Sequence, residues 1–139
     1  MKFGTLQSIG HNIADSLASG IGMMIGVYDL HVFEEAAASP EGFIEVDFLT
    51  GQSSGGKPSP GLERALLLYA RALPDLCRRH GADVADFRQL NARFSAGPAA
   101  FTVTIEDAHG RRSVDRYVEL PGRRPKVLDS LGRIRRKRH

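Results

Sequence analysis

Leu6, Ile9, Ile13 and Leu17 recur every three or four residues, while Gln7, Ser8, His11, Asn12, Asp15, Ser16 and Ser19 fill the remaining faces. That period predicts an amphipathic helix, and Gly20 and Gly22 supply its stop. From Met23 to Phe33 the period shortens to two, with Met24, Tyr28, Leu30 and Val32 opposed to Val27, Asp29, His31 and Phe33. A second alternating run sets Ile44, Val46 and Phe48 against Phe43, Glu45, Asp47 and Leu49. Ser39-Pro40-Glu41-Gly42 lies between the runs as turn chemistry, so the two are expected to form an antiparallel hairpin. The simplest register pairs Val32 with Ile44, Leu30 with Val46 and Tyr28 with Phe48. It sets His31 opposite Glu45 and Asp29 opposite Asp47 on the other face.

Residues 50–61 are rich in Gly, Ser and Pro and are expected to be a loop. Pro60 then opens a helix through Leu66, Tyr69, Leu73 and Leu76, with Arg78, Arg79 and His80 complementing its C-terminal dipole and Gly81 beyond its end. Pro74 is expected to kink it or to confine its straight part to the N-terminal half. Residues 84–94 fit both periods, because Val84, Phe87, Leu90 and Phe94 suit a helix and Leu90, Ala92 and Phe94 suit a strand; the strand is preferred. Phe101-Val103-Ile105 and Val114-Arg116-Val118 flank Asp107-Ala108-His109-Gly110, the signature of a second hairpin. Further on, Val127, Leu128, Leu131 and Ile134 can line one face of a short docking helix. Hairpins interrupted by helices indicate an α+β fold in the order α-β-β-α-(β)-β-β. Two helices are expected to pack on one face of a mostly antiparallel sheet of four to five strands, followed by a basic C-terminal tail.

Charge divides the chain at residue 120. Of its 19 Lys and Arg residues, eight lie in residues 121–139 with Asp129 as the one acid there, leaving eleven bases against fifteen acids before them. The formal +3 therefore joins an acidic body, residues 1–120, to a strongly basic tail, residues 121–139. A hydrophobic content of 42% with 25% charged residues suits one globular domain in that body. Cys77 is the sole cysteine, which rules out an intrachain disulfide and a cysteine-based zinc site and agrees with a reducing, cytoplasmic setting. Fifteen Arg against four Lys, with abundant Ala and Gly, suggest a G·C-rich bacterial source. Asp29 ends the apolar stretch begun at Leu17 well short of a membrane span, and Lys2, Asp15, His11 and Asn12 before it do not make a basic leader.

Four constellations carry candidate chemistry. Gly51-Gln52-Ser53-Ser54-Gly55-Gly56-Lys57 has the spacing of a phosphate-binding loop, but Pro58 stands where the magnesium-holding hydroxyl belongs and removes an amide donor, so it is taken as a loop. Asp29, His31, Glu45 and Asp47 share one face of the expected first hairpin. Three carboxylates and an imidazole there could bind a substrate or a divalent metal of the Mg or Mn kind, or remain solvated. Phe33, Phe43, Val27 and Leu49 on that same face make it more apolar than an ordinary outer surface and point to cover by a second subunit. His11 and Asp15 stand one helical turn apart near Ser8, Ser16 and Ser19, an arrangement that ordinarily stabilises a helix surface rather than catalysing. Cys77 is expected to be a buried small hydrophobe. In the tail, Arg123, Arg124, Lys126, Arg133, Arg135, Arg136, Lys137 and Arg138 offer salt-sensitive contacts to phosphates or to an acidic partner, without an aromatic residue to stack on bases; otherwise the tail is a disordered, solubilising end or a strap on the acidic sheet of its own or a neighbouring subunit.

These features lead to the expectation of a small non-catalytic bacterial interaction protein, with no cofactor and no catalytic residue, acting through a sheet face as a homodimer or with a protein partner. A nucleic-acid-associated accessory protein using the basic tail is the alternative. A small divalent-metal-dependent enzyme is the third. A membrane partner is not expected.

Overall fold

A computed structural model describes residues 2–19, 32–95 and 100–118 together with the backbone of two short strands, Lys126–Leu128 and Ile134–Arg136. The elements in chain order are α1 (Phe3–Ser19), α2 (Val32–Ala38), β1 (Phe43–Asp47), β2 (Ser53–Gly55), α3 (Pro60–Arg79), a 3-10 turn (Val84–Asp86), β3 (Phe87–Ser95), β4 (Ala100–Asp107), β5 (Arg112–Val118), β6 (Lys126–Leu128) and β7 (Ile134–Arg136). The strands form one sheet in the order β2-β1-β3-β4-β5-β6-β7, and every neighbouring pair is antiparallel. The fold is α+β, with helices packed on an antiparallel sheet.

The helical period of α1 becomes its contact face: Leu6, Ile9, Ile13, Ala14, Leu17 and Ala18 are buried, and α1 lies across β4 and β5. Residues of α2 pack on β1 and β3, burying Val32 and Ala36. In α3 the Ser59 side chain accepts from the Leu62 N–H and Pro60 takes a first-turn position, where its missing N–H costs nothing. That helix runs through Pro74 to Arg79, because Leu73 and Cys77 on either side of the proline are both buried and hold the second half against the core.

Backbone register assembles the core. Ile44 pairs with Phe94, Phe94 with Phe101 and Phe101 with Tyr117, so one row across four strands carries three aromatic rings. The Phe94 and Phe101 centroids are 5.5 Å apart, and Phe101 stacks on Tyr117 at 5.0 Å with an interplanar angle of 13°. Phe33 of α2 meets Phe94 edge-on, and Tyr69 of α3 meets Phe48 in the same way. The three described helices therefore lie over the same side of the sheet as Ile44, Val46, Leu90, Ala92, Val103 and Ile105.

Three sequence expectations need correction. Val32 opens a helix, and both edges of β1 are occupied elsewhere: Ile44 pairs with Gly55 on one side and Phe94 on the other. The hairpin expected between residues 23–33 and 43–49 is thus replaced by pairing of β1 with β2 and β3; residues 23–31 lie outside the described residues. Second, the Gly/Ser stretch is not all loop, since Ser53–Gly55 forms the edge strand β2. At Gly55, φ is +82° and a Cβ would fall 2.4 Å from the Phe43 carbonyl oxygen, which is why glycine stands there. In β5, Asp115 and Tyr117 face inward and Val114 and Val118 outward, because Tyr117 pairs with inward Phe101. The preferred strand at residues 84–94 is present as β3 behind the 3-10 turn, and the hairpin around residues 107–110 is present as β4–β5. Third, residues 126–128 and 134–136 are strands and not part of the short docking helix that Val127, Leu128, Leu131 and Ile134 could have lined.

The β4–β5 turn is tied by Asp107. Its carboxylate accepts from the Arg111 Nε at 2.6 Å, the Arg111 N–H at 2.8 Å and the His109 N–H at 3.0 Å. Burial favours the neutral acid, yet these three donors and the guanidinium charge outweigh it and hold the carboxyl below the ordinary carboxylate range. A carboxyl depressed in the folded state contributes stability above its unfolded value, about 3.9, and loses that contribution as pH falls through the lower folded value. Urea titrations from pH 6 down to pH 2 are expected to show stability falling below about pH 4. In Asp107→Asn that part of the decline is expected to be missing; an unchanged acid profile would show that Asp107 does not cause it.

Candidate functional site

Among the described residues, polar side chains gather on the sheet face turned away from the helices and at the junction of α1 with β5. Alternation puts Phe43, Glu45 and Asp47 of β1, Asn91 and Arg93 of β3, Thr102, Thr104 and Glu106 of β4, and Arg112, Val114, Arg116 and Val118 of β5 on the outer face. No described helix packs on that side. Glu45 Oε1 accepts from Asn91 Nδ2 at 2.9 Å, its Oε2 lies 3.7 Å from the Arg93 guanidinium, and that guanidinium sits 3.9 Å above the Phe43 ring. Across the register, one row runs Ser54, Glu45, Arg93, Thr102, Arg116. On this face β1 is acidic, β3 carries Arg93, β4 carries two threonines and Glu106, and β5 alternates arginine with valine.

Glu45 and Asp47 share the outer face as their alternation predicted, but they do different things. Asp47 Oδ1 accepts from the Leu49 N–H at 2.8 Å and shapes the turn into β2. Asp29 and His31 lie outside the described residues, and the hairpin that was expected to align them with Glu45 and Asp47 is not the pairing found. Among the described residues no group of three or more His, Cys, Asp and Glu side chains has the arrangement to hold a metal ion. Of the basic tail, Lys126, Arg135 and Arg136 fall within β6 and β7, whereas Arg123, Arg124, Arg133, Lys137 and Arg138 lie outside the described residues.

The α1–β5 junction brings together residues about a hundred positions apart. Asp115 and Tyr117 alternate onto the inward face of β5, beneath the turn of α1 that carries His11 and Asp15. The Tyr117 hydroxyl donates to Asp15 Oδ1 at 2.8 Å. His11 Nδ1 lies 3.1 Å from Asp115 Oδ2, a bond in which the ring nitrogen donates because a carboxylate can only accept. His11 Nε2 is 3.7 Å from Asp15 Oδ2. The group clamps the helix to the strand with its imidazole between two carboxylates, and Tyr117 is wholly buried beneath it. Neither Ser8 nor Ser19 is aimed at the imidazole, since Ser8 donates to the Gly4 carbonyl and Ser19 to the Asp15 carbonyl. Asp115 and Tyr117 join this cluster only through strand register, which the local pattern Val114-Arg116-Val118 does not report. The available signal was the pairing of Phe101, whose partner had to be aromatic or apolar.

Cys77 is fully buried, and burial, reinforced by the Asp83 and Asp86 carboxylates, raises its thiol so that it stays protonated. No described helix is long and apolar enough to cross a membrane. Compared with known proteins, the chain matches no family model, no curated protein and no solved structure. Its class rests on its own geometry: an α+β protein with helices on one side of an antiparallel sheet.

Proposed function

We propose that this is a small non-catalytic interaction protein that acts as a homodimer through the outer face of its sheet. The observation that supports this reading is the order of side chains along one register row, acidic at Glu45, basic at Arg93, neutral at Thr102 and basic at Arg116. A two-fold axis running along the strands between β3 and β4 superposes β1 of one copy on β5 of the other. The shared row then sets each Glu45 over an Arg116 and each Arg93 over a Thr102. Sheets packed face to face lie about 10 Å apart, a gap that Glu and Arg side chains close from both sides. Such a face complements itself under a two-fold axis, the symmetry most homo-oligomers use.

Charge exchange tests the reading. Glu45→Lys and Arg116→Glu are each expected to weaken dimerisation at least about tenfold in sedimentation equilibrium, since each places like charges face to face. The double variant is expected to recover much of the loss, because it restores opposite charges with the partners exchanged. A wild-type chain that stays monomeric at high protein concentration, or a double variant no better than the singles, would overturn the proposal.

A further inference from the structure

The outward side of α3 is unlike the rest of the described surface. Leu67 and Leu68 are the exposed large hydrophobic residues there, at 44% and 47%. Leu62, Ala65, Leu66, Leu73 and Cys77 face the core, so at 3.6 residues per turn the line farthest from the core is Arg64, Arg71 and Arg78. Successive members of that line are seven residues apart, about 10 Å along the axis, and the two leucines flank it on either side between Arg64 and Arg71. Arg78 pairs with Asp75, while Arg64 and Arg71 bracket the leucines.

We infer that this face of α3 is a docking surface for an acidic amphipathic helix of a partner protein. The occupant follows from charge and from what charge excludes. A second copy docked here would bring arginine against arginine in either orientation, since Arg64 meets Arg64 in a parallel pair and Arg71 in an antiparallel pair crossing at the leucines. The chain's own tail, with eight bases and one acid, is repelled by the same row. A phosphate backbone would meet the arginines but leave Leu67 and Leu68 against charge. A helix presenting leucine at its centre, with glutamates one turn to either side, satisfies both parts: the leucines bury each other, and the arginines form charge-assisted bonds to carboxylates at the rim. This surface lies on the helical side of the molecule, opposite the sheet face assigned to dimerisation, and does not depend on that assignment.

The test uses the full chain and a fluorescent 21-residue peptide made of Glu and Leu in a helical repeat, with a serine-for-leucine version as control. Binding by fluorescence anisotropy is expected to fall at least about tenfold in Arg64→Glu/Arg71→Glu and in Leu67→Ser/Leu68→Ser, and to be weak for the serine peptide. All four side chains are exposed, so both variants are expected to keep the wild-type circular dichroism; Arg71→Gln alone supplies a milder change that should weaken binding in the same direction. Absence of peptide binding, binding unchanged in these variants, or tighter α3-dependent binding to single-stranded DNA or to phosphatidylserine vesicles would overturn the inference. Dimerisation is expected to be untouched by the α3 variants, which separates failure here from failure of the sheet-face proposal.

Discussion

Tyr117→Ala is expected to remove about 3–5 kcal/mol of stability, the cost of emptying a large buried aromatic site. Tyr117 is 0% exposed, stacks on Phe101 and ends the aromatic row that crosses four strands. Its loss opens a cavity between α1 and β5, and it also withdraws the hydroxyl that donates to Asp15. Against a total of about 5–15 kcal/mol for a domain, a loss of this size takes away a large part of the folded margin. Tyr117→Phe keeps the ring and deletes the hydrogen bond, so its cost is expected to be about 1–2 kcal/mol. Urea unfolding of both variants checks the pair of values. A Tyr117→Ala cost below about 1 kcal/mol would show that β5 does not carry the core.

Gly10→Ala is the second substitution with a large expected effect. A Cβ at this position would fall 2.6 Å from Ile105 Cγ2, because α1 packs directly on β4 there. Overpacking of this kind costs about 1–3 kcal/mol, more than the few tenths to one kcal/mol that alanine returns through helix propensity. Removing the obstructing methyl should relieve the clash: in an Ile105→Ala background, Gly10→Ala is expected to be much less damaging, or stabilising. A double-mutant cycle in thermal unfolding measures that coupling. Equal costs in both backgrounds would mean that the helix does not approach the strand at Gly10.

Periodicity along a helix reports its buried face directly, which is why the contact faces of α1 and α3 were legible in Leu6, Ile9, Ile13 and Leu17 and in Leu66 and Leu73. The β4–β5 hairpin was legible for another reason: the Asp107–Gly110 stretch carries its turn chemistry locally, and Asp107 performs it with three hydrogen bonds. Strand alternation is less informative. It gives the face of Ile44 and Glu45 correctly but not the neighbour, and β1 pairs with β3, which follows it by forty residues and an intervening helix. Val32 and Ala36, four apart and both buried, belong to a helical stripe that the preceding alternation through Leu30 concealed. The α1–β5 cluster was half visible, since His11 and Asp15 share a helix, whereas Asp115 and Tyr117 join them only through register.

The proposed dimer joins two copies through the sheet face opposite the helices. Its most direct test is a mixed sample of isotope-labelled and unlabelled chains, observed by filtered NMR for contacts between protomers. Contacts from Arg93 to Thr102 and from Glu45 to Arg116 across the subunit boundary are the predicted result. Intermolecular contacts confined to the helical side, or none under conditions where the protein is dimeric by mass, would contradict it.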